Sequence, residues 1–253
     1  MLEAAPVSTF VRPAVEVAER PRHAAVVRIT HWVTALCFGA LLISGVEILI
    51  SHPRFYWGEA GNVLTTPLFV LPIPASRSSV PTGYGFVLPD QNGWSRALHF
   101  QSAWIVVFTG LVYTIASLLS GHFRKNLMPS RADLAWRPIA AVIINHWQRR
   151  QSAMADARSY NVLQRVAYLL VIVVLFPLEI WTGLAMSPAI VSAFPFVVTL
   201  LGGQQTARTI HFFAAVALLL FFGVHVEMVR RAGFFDRVRA MTTGETPTPS
   251  ERT

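Results

Sequence analysis

Four of the eight histidines in this chain have both the chemistry and the placement to do something. His211 and His225 lie in "TIHFFAAVALLLFFGVHVEMVRR", residues 209–231, an almost wholly apolar run. A step of 14 residues on an α-helix returns to within about 40° of the starting face and rises about 21 Å. The two imidazoles therefore face the same way at opposite depths. His31 ("RITHWVTALCFGALLISG") and His99 ("WSRALHFQSAW") each stand at the end of another apolar run. In a medium without water each ring must find a partner. Two histidines at equal height on facing helices can hold a six-coordinate haem iron through both axial positions, and four can hold two stacked haems. The competing reading is that each histidine only hydrogen-bonds between helices, at about 1 kcal/mol apiece. Four histidines matched in depth across three helices favour ligation. The others, His23, His52, His122 and His146, lie in the N-terminal arm and in connections.

The elements that must position these rings follow from composition. Hydrophobic residues make up 53% of the chain and charged residues only 13%, against about 25% charged in an ordinary soluble domain, so the chain reads as an integral membrane protein. Four stretches, about 31–50, 98–119, 164–186 and 209–229, are long enough to cross a hydrocarbon core, which takes about 20 helical residues. The net charge of +8 comes from basic residues flanking these stretches, which is how membrane topology is encoded rather than a nucleic-acid footprint. Arginine and lysine collect in the arm, in the second connection and in the tail. The first connection has only Arg54, Arg77 and Arg96, and the third little beyond Arg208. Both termini are therefore expected in the cytoplasm. Depth then pairs His99 with His211 near the outer face and His31 with His225 near the inner face.

The expected fold is an all-α integral membrane bundle of four transmembrane helices, with a long irregular outer loop and a short interfacial helix. Residues 1–28 are read as a polar cytoplasmic arm, 29–231 as the four-helix domain and 232–253 as a disordered cytoplasmic tail. Residues 51–97, rich in Pro, Gly and aromatics, should form the irregular cap. "IAAVIINHW" in the second connection is too short to span and is flanked by basic residues, so an interfacial helix is expected there. The lone Cys37 excludes a disulfide within the chain and thiol attachment of haem, so a haem would be held non-covalently.

A porphyrin is wide, and helices beside it need small side chains where its edge meets them. Gly110 follows His99 by 11 residues and Gly45 follows His31 by 14, which places each on its ligand's face, level with the haem that its own helix does not ligate. Ordinary small-residue helix packing explains each glycine equally well. Arg28, Arg96 and Arg208 each precede a candidate ligand by three residues and are candidates to pair with haem propionates. Positive-inside anchoring is an equal reading of Arg28 and Arg165. Glu179 is a carboxyl within a span and hence a functional candidate, with a protonated, hydrogen-bonded structural role as the alternative. Trp32, Trp57, Trp94 and Trp181 fit interfacial belts.

Residues from about Arg28 to Arg231 resemble the bacterial di-haem cytochrome b subunits of the cytochrome b561 type, found with nickel-iron hydrogenases, formate dehydrogenases and thiosulfate reductases. The resemblance rests on "RITHW", "LHFQSAW", "YNVLQRVAYL", "WTGLAMSP" and "RTIHFFAAVALLLFFGVHV". The outer loop "HPRFYWGEAGN" is most similar to the thiosulfate reductase cytochrome b branch. The resemblance implies two haem b groups held by His31, His99, His211 and His225, and a quinone site close to the inner haem. Tyr160 and Asn161, at the start of the third helix, are candidates for its wall. It implies a multi-pass protein of the bacterial inner membrane that passes electrons between the quinone pool and a periplasmic redox partner, a molybdopterin oxidoreductase or another redox subunit. Quinone reductase or quinol oxidase chemistry would belong to the complex, and no catalytic residue is assigned. Two alternatives stand beside this expectation: a non-redox membrane anchor or scaffold, and a stand-alone quinone-linked oxidoreductase acting on a small oxidant such as superoxide.

Overall fold

The computed structural model describes residues 24–62, 64–73, 91–121 and 162–244, with the side chains of residues 91, 92 and 162–165 left aside. Most of the arm, part of the outer loop, the second connection with its expected interfacial helix, Tyr160 and Asn161, and the last residues of the tail lie outside the described residues.

Four helices in the described residues are long and apolar enough to cross a membrane: Ala25–Ser51, Gly93–Leu119, Val166–Ala185 and Gln204–Arg231. Only 11 to 17% of the residues in their most apolar windows are buried within the chain. Side chains such as Leu36, Ile43, Phe108 and Leu220 stay exposed, as they must where the surrounding solvent is hydrocarbon. Much of what is buried in the spans is small, and often hydroxylated. Helix α1 (Ala25–Ser51) buries Thr30, Cys37, Ser44 and Ser51, evenly spaced by seven residues, and packs along its length against α2 (Gln91–Leu119). A stripe of small residues at that spacing lets two backbones approach closely where no hydrophobic driving force exists. The polar start of α2 lies within the loop expected to be irregular. Hydropathy marks only the part of a helix inside hydrocarbon, so "QNGWSRA" gave no such signal.

The third span is α3 (Val162–Leu169), a wide π turn (Leu170–Leu175) and α4 (Phe176–Ala185). Pro177 explains the break. It has no N–H to give and its ring crowds the carbonyl one turn back, so the backbone widens just before it and the Phe176 N–H reaches Val171 O, five residues back. Two short helices, α5 (Pro188–Ala193) and α6 (Phe196–Thr199), then turn the chain into α7 (Gln204–Arg231). The Trp181 indole ties α4 to α6 by donating to Val197 O at 3.0 Å. Helix α7 packs on α4, on the π turn and on α6.

Residues 52–62 and 64–73 form a cap over the start of α7. Strands β1 (Arg54–Phe55) and β2 (Phe69–Val70) pair antiparallel, a small ribbon within the loop expected to be irregular. Phe55 is 2% exposed, stacked on Phe69 and tilted against Phe212, both at 4.6 Å between ring centres. The cap also supplies what a helix start lacks, acceptors for its first N–H groups. Gly58 O accepts from the backbone N–H of Gln205 and Thr206 at 3.0 and 3.2 Å, and the Glu59 carboxylate accepts from Gln204 N–H at 3.1 Å. This approach requires Gly203. Its φ is +116°, and a Cβ there would lie 2.5 Å from the Gly58 carbonyl carbon. Gly203→Ala should therefore lower stability by about 3 kcal/mol, read as a fall in melting temperature in detergent. Gly93→Ala is the control, because its Cβ would meet nothing within 4 Å, and it should melt like the parent protein.

At the opposite end the chain is helical where the tail was expected to be disordered. Helix α8 (Phe234–Thr242) follows Gly233 and docks on the start of α1. Arg28 Nη1 donates to Thr242 O and Trp32 Nε1 to Met241 O, each at 3.1 Å. Nine amphipathic residues carry too little apolar sequence to stand out beside four spans. They are held by contacts some 210 residues back along the chain.

Candidate haem-binding site

Helices α1 and α2 form one packed pair, and α4 with α7 forms another. The two pairs touch each other sparsely, and the four candidate ligands meet in the space between them. His99 on α2 faces His211 on α7 with 6.2 Å between ring centres, at the cap end. His31 on α1 faces His225, also on α7, at 6.3 Å, at the end where α1 begins. The spacing of His211 and His225 on one helix thus serves two partners on two different helices.

These separations allow a test of fit. Metal–imidazole nitrogen bonds are about 2.0–2.1 Å long. Two rings bound on opposite sides of one metal ion then have centres about 6.3 Å apart, adding about 1.1 Å from each nitrogen to its ring centre. Both pairs match this, whereas histidines bonded directly to each other need no such gap. The residues present fit a haem iron at each pair.

The cap-end imidazoles are also oriented. His99 Nδ1 is 3.0 Å from Ser44 Oγ on α1, and His211 Nδ1 is 2.9 Å from Thr182 Oγ1 on α4. Each hydroxyl already donates to a carbonyl one turn back on its own helix, Ser44 to Ala40 O at 2.7 Å and Thr182 to Leu178 O at 2.8 Å. The oxygen is left as an acceptor. Nδ1 must then carry the proton and donate it, and Nε2 presents its lone pair. A ligand imidazole needs that tautomer. The other end is held differently. His31 Nδ1 is buried without a hydrogen-bond partner, and His225 is positioned by rings, stacked on Phe221 at 5.9 Å and edge-on to Tyr168 at 6.3 Å.

Of the other sequence-predicted residues, Gly45 lies against His99, where a Cβ would sit 3.6 Å from its Cε1. A Cβ at Gly110 would meet nothing within 4 Å. Arg96 is exposed. Arg28 binds α8 through Nη1, while its Nε is buried without a partner. Arg208 directs Nη2 to His52 O and Arg54 O at 2.5 and 2.7 Å and Nη1 to Gln205 Oε1 at 3.2 Å. Its guanidinium also covers the Phe55 ring at 4.9 Å, so the donors seen here hold the cap. Glu179 Oε1 is 3.2 Å from His211 Nε2, and its Oε2 is buried without a partner. The carboxyl therefore stands beside the nitrogen a metal would take.

Sequence reasoning missed Ser44, Thr182 and Gly183, whose Cβ would lie 3.6 Å from His211 Cε1. The available signal was a hydroxyl residue followed by glycine inside a span, Ser44–Gly45 and Thr182–Gly183, a pattern shared by Thr109–Gly110.

Comparison with known proteins identifies the family. The sequence pattern of the family described as prokaryotic cytochrome b561 matches residues 22–244. The chain is also similar to a protein of Azospira oryzae described as "Putative protein-methionine-sulfoxide reductase subunit YedZ1", 30% identical over 207 residues, 80% of this chain and 86% of that protein. With four membrane-spanning helices and paired histidines between them, the chain belongs to the prokaryotic cytochrome b561 family, multi-pass membrane proteins that bind haem b and carry electrons across the bilayer.

Proposed function

We propose that this chain is the membrane electron-transfer subunit of an oxidoreductase complex, holding two haem b groups that link the quinone pool to a redox partner on the other side of the membrane. The observation that carries the reading is the pair of facing histidine pairs, 6.2 and 6.3 Å between ring centres, built on one shared helix. When bound, haem iron supplies a one-electron carrier at each depth. The chain's own residues do the rest. His99 and His211 ligate at the cap end, His31 and His225 at the other, and the rigid α7 fixes the axial distance between the pairs at about 21 Å. Lipid-facing apolar side chains keep water from the iron, one of the protein's levers on potential.

Orientation follows from charge. Arg28, Arg230, Arg231, Arg237 and Arg239 gather at the end where α1 begins and α7 finishes, and an excess of arginine favours that end as the cytoplasmic one, here of a bacterial inner membrane. The cap then faces outward and is the surface offered to a periplasmic partner. The described relative is named as a reductase subunit, and the family resemblance favours a molybdopterin-type oxidoreductase as the partner. Quinone would react near His31 and His225, with Tyr160 and Asn161 as candidates for the wall of its site.

The full-length chain purified in detergent should show a reduced-minus-oxidised haem b spectrum and two haems per polypeptide. A menadiol-type quinol should reduce both. Protein that folds and binds no haem would overturn the proposal in favour of a non-redox anchor.

A further inference from the structure

Ser44 and Thr182 are related to the cap-end histidines in the same way, although they lie on different helices of different packed pairs. Both are fully buried, at 0% exposure. Each commits its proton to the carbonyl four residues back, at 2.7 and 2.8 Å, and each offers its oxygen to a histidine Nδ1, at 3.0 and 2.9 Å. Each is followed by a glycine that packs against the same ring, where a Cβ would lie in ordinary contact, 3.6 Å from Cε1. Neither hydroxyl is needed by its own helix, where backbone groups are already paired and alanine is the better helix former. A serine or threonine bonding back to its own helix slightly destabilises it. The gain must lie in the histidines.

From this geometry, and resting on the di-haem reading above, we infer that Ser44 and Thr182 are positioning residues for the two axial ligands of a single haem, the one at the cap end. Each acts together with a backbone carbonyl that bonds the same ring, Leu41 O for His99 and Glu179 O for His211, to fix the Nδ1–H tautomer and the ring orientation. By accepting the Nδ1 proton's hydrogen bond, each also raises the basicity of Nε2. A more basic ligand favours ferric over ferrous iron, so the two hydroxyls together hold the cap-end haem at a lower potential than it would otherwise have. The other haem has no such device on His31, whose Nδ1 is buried without a partner.

The test is redox potentiometry of the full-length haem-loaded protein in detergent, followed in the haem b absorption bands. Ser44→Ala and Thr182→Val are compared with the hydroxyl-preserving Ser44→Thr and Thr182→Ser. The cap-end haem is identified as the one missing from His99→Ala. Ser44→Ala and Thr182→Val should each raise the midpoint potential of that one haem and leave the other where it was, and the conservative variants should return it towards the parent value. Loss of pigment in Thr182→Val that Thr182→Ser restores would also support the assignment. Unchanged potentials in both truncations, or equal shifts in the conservative variants, would overturn it. Failure of the underlying reading looks different: the parent protein would carry no haem b, or the two truncations would act on different haems because the ligands are paired otherwise.

Discussion

On the proposed di-haem reading, replacing His211 by alanine is expected to halve the haem b content, from two per chain to about one, and to leave the remaining haem with its parent spectrum. The reason is the division of labour along α7. His211 completes a pair with His99 at 6.2 Å, and His225 completes another with His31 at 6.3 Å. The two sites share a helix but no ligand. His225→Ala should therefore give the complementary result, losing the other haem and keeping the cap-end one. Combination sharpens the test, because residues acting on one site are strongly non-additive while separate sites add. His99→Ala with His211→Ala should lose no more haem than either alone. His211→Ala with His225→Ala should lose both. Haem per polypeptide, measured by pyridine haemochrome against total protein, checks all four. On the proposed function, any of the single variants should also stop electrons crossing from quinol to an acceptor at the cap end, since each would remove one of two carriers in series.

The features legible in the sequence depend on short-range periodicity. Four apolar runs announce four helices because a span must satisfy its backbone internally. The shared face of His211 and His225 follows from 3.6 residues per turn. Counting depth from helix ends brought His99 to His211 and His31 to His225 without any tertiary information, and the rings do lie together. What escaped was set by contacts between segments far apart in the chain. Ser44 and Thr182 look like ordinary small packing residues until a second helix puts an imidazole against them. The acceptors for the first N–H groups of α7 come from Gly58 and Glu59, about 145 residues earlier. Helix α8 and the β1–β2 ribbon are too short to carry a periodic signal, and each depends on a surface formed elsewhere. Arg208 shows the same limit. Its position three residues before His211 suggested a propionate partner, because sequence distance to the ligand was visible and the cap folded over it was not.

Arg208 accordingly supplies a prediction that separates two roles. Its Nη2 bridges His52 O and Arg54 O at 2.5 and 2.7 Å, bonds that close the chain across more than 150 residues. The same guanidinium lies over Phe55, the buried ring at the centre of the cap. Hydrogen bonds from a charged donor contribute about 1.5–3 kcal/mol each. Allowing for partial exposure and for solvation of the freed carbonyls, Arg208→Ala should cost about 3 kcal/mol. Arg208→Lys should recover only part of this, because an ammonium is a point charge and cannot span two carbonyls as a planar fork does. Cap opening is the expected symptom: faster proteolysis within residues 52–73 and a lower melting temperature, with haem content kept. The neighbouring bonds, Thr209 Oγ1 to Tyr56 O at 2.7 Å and Gly58 N–H to Thr206 Oγ1 at 2.7 Å, should then weaken with it, since all of them fix the same loop to the same helix start. A propionate role would reverse the pattern. Charge alone would matter, lysine would substitute well, the cap would stay closed, and the cap-end haem would shift in potential or be lost.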